Sequence, residues 1–170
     1  MRDDSKRWPD PRDPSDVIEA PGLSIKKLHV ARLTLLSGPR ALHQTKLPLV
    51  EWPDVVTSDS LSVVLRRDRV MEVNGPARTD GWDNKEALAI SDVSDAYAQV
   101  ELTGENALSL LRRGTELDPK IPSRSTARLC FGLGVSLYRF RDDTTFRLHV
   151  TSAHDEALWH ALSDAAKHLS

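Results

Sequence analysis

Residues 90–118, ISDVSDAYAQVELTGENALSLLRRGTELD, switch from a strand period to a helix period within a few positions. Ala98, Val100 and Leu102 alternate with Tyr97, Gln99 and Glu101, the period of about two that gives a strand one apolar and one polar face. Ala107, Leu110 and Leu111 then follow the i, i+3, i+4 stripe of a helix lying on a sheet. Thr103 is placed to cap that helix, Glu105 to stand in its first turn and Arg112-Arg113 in its last, and both charge placements suit the helix dipole. Gly114 reads as its left-handed stop.

The same alternation recurs downstream. Phe146, Leu148 and Val150 alternate with Thr145, Arg147 and His149, after strand candidates at residues 129–131 and 135–140, with Arg141-Asp142-Asp143 as the joining turn. A second helix closes the chain, with Ser152 and Asp155 as a capping box and Leu158, Ala161, Leu162, Ala165 and Leu169 as its buried stripe. Strand, helix, strands, helix is the order of an α+β fold, with antiparallel or mixed sheets and helices packed on one face.

Before residue 89 the patterns are shorter. Residues 1–21 hold four of the ten prolines and ten charged side chains, which reads as an extended N-terminal arm with Trp8 as its anchor. Residues 24–36 read as one strand-like run ending at Ser37-Gly38-Pro39, and residues 41–46 as a short segment leading into a turn. Leu61, Val63 and Leu65 are separated from residues 70–73 by Arg66-Arg67-Asp68-Arg69, the signature of a hairpin with a basic tip. Residues 74–88 carry Asn74-Gly75-Pro76 and Asp80-Gly81 and read as the connection between halves. The expected organisation is an arm over 1–21 and one α+β domain over 22–170, divided into a β-rich half (22–88) and a strand–helix–strands–helix half (89–170).

With 23 basic against 25 acidic residues, nothing favours nucleic acid. No apolar run has the length of a membrane span, and the single cysteine, Cys130, fits a reducing compartment; a cytoplasmic protein is expected. Chemistry is sparse. Gly132-Leu133-Gly134 begins like a dinucleotide fingerprint but runs on as strand, so it reads as a turn. The six histidines offer no i, i+4 pair on the last helix, so no metal site is assigned. Cys130, between Leu129 and Phe131, reads as a buried thiol. No catalytic or cofactor-binding residue is assigned. As candidate partner-interface residues, Trp8 and Trp52 are loop or tail indoles, and Arg66, Arg67 and Arg69 form a basic tip suited to an acidic patch.

Several motifs carry a resemblance: Asp92-Val93-Ser94-Asp95-Ala96, Leu102-Thr103-Gly104, Leu110-Leu111-Arg112-Arg113-Gly114, Thr126-Ala127-Arg128-Leu129, Phe146-Arg147-Leu148-His149-Val150 and Ala157-Leu158-Trp159. Together they resemble the gamma subunit of heterotetrameric sarcosine oxidase. The resemblance implies an aminomethyltransferase-like folate-binding-domain fold and a non-catalytic subunit that stabilises the large subunit of a flavin-dependent N-methyl amine demethylase. It also implies alpha, beta and delta subunits as partners, with FAD, FMN, NAD, tetrahydrofolate and zinc on those partners and none on this chain. The alternative is a folate-binding or one-carbon transfer module, for which Asp92, Asp95 and Glu101 are the carboxylates that could hold a pterin ring.

Overall fold

Two sheets share the work of the core in the computed structural model, which describes residues 17–169. Sheet I has seven strands in the order β1 (Val17–Ala20), β2 (Leu23–Leu28), β10 (Tyr97–Thr103), β13 (Thr145–Thr151), β12 (Leu133–Phe140), β11 (Ala127–Cys130), with β5 (Val55–Val56) pairing parallel to the end of β12. Sheet II has six strands in the order β4 (Leu49–Val50), β6 (Leu61–Arg66), β7 (Arg69–Val73), β3 (Leu33–Ser37), β9 (Leu88–Asp92), β8 (Gly81–Asp83). The pairing is mostly antiparallel, and helices are few: α1 (Ala41–Gln44), α2 (Ala107–Gly114) and α3 (Asp155–Ala166). The architecture is α+β.

The alternating apolar residues of β2, β10 and β13 explain the first layer. Ile25, Val100, Leu102, Phe146, Leu148 and Val150 all point to one face of sheet I, where Leu110 and Leu111 of α2 and Leu158, Trp159 and Leu162 of α3 cover them. On sheet II, Leu33, Val63, Met71 and Val73 meet Tyr138 and Phe140 from the opposite face of sheet I. Leu36 and Val70, at the other parity, pack with Ala41 beneath α1. Both faces of β3 are thus buried, which is why Leu33 and Leu36 are both fully enclosed.

The hairpin expected across 61–73 forms, with Val63 opposite Met71 and Leu61 opposite Val73. Gly132 lies in a turn between β11 and β12, as its sequence context indicates. Several expectations are corrected. The run 24–36 is two strands, not one: β2 belongs to sheet I and β3 to sheet II, because the chain crosses between layers at residues 29–32. The halves 22–88 and 89–170 are not structural units either. Strands β1 and β2 pair into the sheet built from the later residues, while β9 closes the earlier one. Residues 74–88 are not a bare connection, since β8 and the start of β9 fall within them. Of the arm over 1–21, the described residues include Val17–Ala20, which pair with β2 as the edge strand of sheet I.

Local signals at helix ends also differ. Helix α2 starts at Ala107 behind Asn106 rather than being capped by Thr103, which ends β10, and Glu105 lies before the helix. Ser152 does not close a capping box with Asp155. Its hydroxyl donates to the Asp95 carbonyl at 2.8 Å, and Asp155 pairs with Lys27, whose ammonium also lies 5.7 Å from the Trp159 ring centre. Gly114 is needed for space and not for a left-handed turn: a Cβ there would fall 2.5 Å from the Phe131 ring.

Gly104 carries the tightest constraint. It has φ +128°, and a Cβ on it would meet the Gly22 carbonyl oxygen at 2.2 Å. That contact clamps the β1–β2 turn onto the β10–α2 junction, where the Asn106 amide donates to the same Gly22 carbonyl at 3.0 Å. Gly104→Ala is expected to destabilise the chain by about 2–4 kcal/mol, since it adds backbone strain to a backbone clash. Urea unfolding checks this, and a change within about 0.5 kcal/mol, as for an ordinary surface substitution, refutes it.

Candidate functional site

The polar side of β10 is buried at Gln99 and Glu101. Its partners on the neighbouring strands are set by register. Lys26, Glu101, Arg147 and Tyr138 lie in one row across β2, β10, β13 and β12, and Gln99, His149 and Ser136 lie in the next. Both rows look toward sheet II. Since every strand alternates faces, the parity that sends Val100 and Leu148 to the helices sends Gln99, Glu101, Arg147 and His149 into the space between sheets.

Arg147 organises the first row. Its Nε donates to Glu101 Oε2 at 2.9 Å, its Nη1 to Asp59 Oδ1 at 3.2 Å, and its guanidinium lies 3.3 Å from the Phe140 ring centre. Lys26 Nζ reaches the other Glu101 oxygen at 3.0 Å. Burial alone would raise the Glu101 pKa; the hydrogen bonds and charges of Arg147 and Lys26 outweigh it and hold the carboxyl below its usual range. Asp59 belongs to the segment before β6, so Arg147 also ties the two sheets together.

In the second row, Gln99 Nε2 lies 3.2 Å from Tyr138 Oη and 3.1 Å from His149 Nε2, and the Tyr138 and His149 rings stack at 5.8 Å. With the Gln99 amide donating, His149 Nε2 is the acceptor and the ring proton resides on Nδ1. Burial, reinforced by the Arg147 charge, pushes the imidazole pKa down to about 3, so the ring is neutral. His149 Nδ1, Ser136 Oγ and Arg69 Nε are buried atoms without a hydrogen-bond partner. All three residues border one pocket of about 290 Å³ at the edge of the inter-sheet space.

The interface residues expected from sequence separate into two places. Trp52 is 3% exposed and is a core residue rather than a free anchor. Its indole N–H donates to the Asp118 carbonyl at 3.0 Å, and Arg128 and Arg139 lie 5.9 and 5.6 Å from its ring centre. It forms one wall of an open cleft of about 620 Å³ with Arg112, Leu117, Ile121 and Arg128, and Ile121 is 64% exposed. Arg66 and Arg67 are exposed at the β6–β7 turn, Arg66 Nε lying 3.5 Å from Asp68 Oδ1. Arg69 turns inward at the parity of Met71 and joins Arg66 on the smaller pocket. Trp8 lies outside the described residues.

Asp92, Asp95 and Glu101 do not share a strand. Asp92 ends β9 in sheet II, Asp95 lies in a short 3-10 turn, and only Glu101 is in β10. Asp92 and Asp95 are exposed, and Glu101 is occupied by Arg147 and Lys26. Cys130 is buried, and burial pushes its thiol up to about 12, as expected of a structural cysteine. The sequence reading missed Gln99, Ser136, Tyr138 and His149. Their signal was present as matching polar parity on three strands, and only the second sheet reveals that this face is covered.

No protein-family model and no curated protein matches the chain. Among solved structures, the chain is similar to the heterotetrameric sarcosine oxidase from Corynebacterium sp. U-96 in complex with pyrrole 2-carboxylate, with a TM-score of 0.67 and 17% identity. The superposition spans 89% of this chain and 87% of that one. The fold is shared. At this identity the likeness says nothing by itself of shared residues or activity.

Proposed function

We propose that this chain is a non-catalytic subunit of a multi-subunit, flavin-dependent N-methyl amine demethylase of the sarcosine oxidase type, corresponding to its gamma subunit. The observation that carries this reading is the likeness of fold across nearly the whole of both matched chains. It agrees with the aminomethyltransferase-like fold and the motif resemblance set out from sequence. In this reading the amine is oxidised elsewhere in the assembly, and alpha, beta and delta chains carry the FAD, FMN, NAD, tetrahydrofolate and zinc. The chain contributes a rigid body that stabilises the large subunit in the cytoplasm. Ile121 and Arg112 beside the open cleft, and Arg66 and Arg67 at the hairpin tip, offer exposed apolar and basic groups for such a contact. None of the described helices is long and apolar enough to cross a membrane.

The alternative, a folate-binding or one-carbon transfer module, requires a carboxylate for the pterin ring. Of the three considered, the one that is buried is already saturated by two cations. The test is isolation of the tagged chain from its native cells. Recovery of yellow, flavin-bearing material that demethylates sarcosine, together with no turnover by the purified chain alone, is the expected result. Turnover by the lone chain, or recovery without flavin, overturns the proposal, and micromolar tetrahydrofolate binding by the lone chain supports the alternative.

A further inference from the structure

The tip of the β6–β7 hairpin and the start of β11 are distant in sequence and form one surface. The Ser125 hydroxyl donates at 2.6 Å to the carbonyl of Leu65, 60 residues away. The Thr126 backbone N–H and hydroxyl donate to the Val64 carbonyl at 2.8 and 3.0 Å. Arg124 and Arg128, on either side of these anchors, are thereby held beside the turn that carries Arg66 and Arg67. Trp52 joins them: it exchanges both backbone hydrogen bonds with Ser123 at 2.8 Å, and Arg128 lies 5.9 Å from its ring centre.

The charge of this strip is one-sided. Arg66 Nε lies 3.5 Å from Asp68 and Arg124 Nε 4.0 Å from Glu51, both exposed pairs that hold their partners weakly. Among the described residues, Arg67 and Arg128 reach no carboxylate. Four guanidiniums against those two carboxylates leave a positive excess, in a chain whose formal net charge is -2. Arg128 is the more telling of the unpaired cations. It is half-buried, and its Nη1 donates to the Ser125 and Ala127 carbonyls at 2.9 and 2.7 Å, so a partly desolvated charge is left without a counter-ion.

Arg128 is also a wall of the open cleft of about 620 Å³ formed with Trp52, Leu117 and Ile121. Within the cleft the charges balance, Arg112 and Arg128 against Glu116 and Asp118, so the cleft offers an apolar seat while the arginine strip supplies the field. Ile121, 64% exposed, is the apolar group left to solvent there. An apolar seat beside a charged strip is the pattern of a protein contact. A phosphate backbone fits it less well, because Asp68 and Glu51 stand among the arginines and a backbone brings no aliphatic side chain for the cleft.

We propose that this surface receives an acidic segment of the large subunit, with carboxylates on Arg67, Arg124 and Arg128 and one apolar side chain in the cleft beside Trp52 and Ile121. The inference rests on the subunit reading and adds to it the face that docks and the chemistry the partner presents.

The experiment isolates the tagged full-length chain from its native cells and reads flavin absorbance per mole of tagged chain, at about 0.05 M and about 0.5 M salt. Recovery by the unmodified chain should fall several-fold at the higher salt. Arg67→Glu combined with Arg124→Glu should lower recovery about tenfold at low salt, and Ile121→Asp should lower it at both. Lys85→Glu, an exposed position just beyond β8 at the far edge of sheet II, should leave it unchanged. All these side chains are exposed, and circular dichroism checks that each variant is folded. Where the double reversal does not fold, Ile121→Asp decides. Absence of flavin from the unmodified preparation overturns the subunit reading and this inference with it. Flavin in that preparation with undiminished recovery in the folded variants overturns the docking face alone. Binding of a duplex DNA oligonucleotide by the lone chain, abolished by the double reversal while flavin recovery persists, assigns the arginines to nucleic acid and likewise overturns it.

Discussion

Removal of residues 155–170 is expected to leave the remaining chain without a cooperative folded state. Helix α3 buries Leu158, Trp159 and Leu162 against sheet I, each side chain contributing roughly 1.5–3 kcal/mol through area removed from water. Their sum, roughly 5–9 kcal/mol, is comparable with the whole stability of a typical domain, about 5–15 kcal/mol. The deletion also strips cover from Val100, Leu148 and Val150, which are fully enclosed in the intact protein. The Lys27–Asp155 pair is lost with it. Circular dichroism and urea titration of the truncated chain check the prediction. A milder form tests the same packing: Leu162→Ala should cost about 2–5 kcal/mol. Should the truncated protein retain a sigmoidal unfolding transition, the helix is an accessory and the layered description of the core is wrong.

Arg147→Met should be the most damaging single substitution among the polar residues. It leaves the buried Glu101 carboxylate with Lys26 alone and releases Asp59 and the Phe140 ring together. Breaking one partner out of a buried pair typically costs about 3–5 kcal/mol, most of it the stranded charge. The double variant Arg147→Met with Glu101→Leu should therefore recover a large part of the loss. The same carboxylate sets an acid limb. Its pKa is held below the unfolded value, so it stabilises the native state above the ordinary carboxylate pKa of about 4.3, and that contribution fades as pH falls through the lower, native value. Stability measured across the acid range should slope downward toward low pH in the native protein and less steeply in Glu101→Gln. Equal slopes would show that Glu101 is not ionised by its neighbours. His149 adds to the same limb, since its buried neutral form must take up a proton as the chain unfolds in acid.

The hairpin tip shows how far linear pattern reaches. Arg66, Arg67 and Arg69 are close in sequence and read as one basic patch, yet the alternation of β7 turns Arg69 inward at the parity of Met71, while Arg66 and Arg67 stay outside. Trp52 shows the opposite lesson. A loop indole between prolines is a candidate interface residue that could equally pack internally, and the structure places it in the core, where the Asp118 and Ser123 carbonyls, far along the chain, accept from its indole and backbone N–H groups. Neither outcome is encoded in a window of neighbouring residues.

Local periodicity was enough to determine the 97–103 and 145–151 strands, the 107–114 and 155–166 helices and the 61–73 hairpin. In each, the repeat of apolar side chains sets which face is dry, a property of a few adjacent residues. What only the tertiary structure decided is partnership: that β2 leaves its sequence neighbours to pair with β10, that sheet II covers the polar side of sheet I, and that Arg69, Ser136 and His149 meet at one pocket. Such choices depend on the free energy of bringing distant strands into register. A polar face reads the same from sequence whether water or a second sheet lies against it.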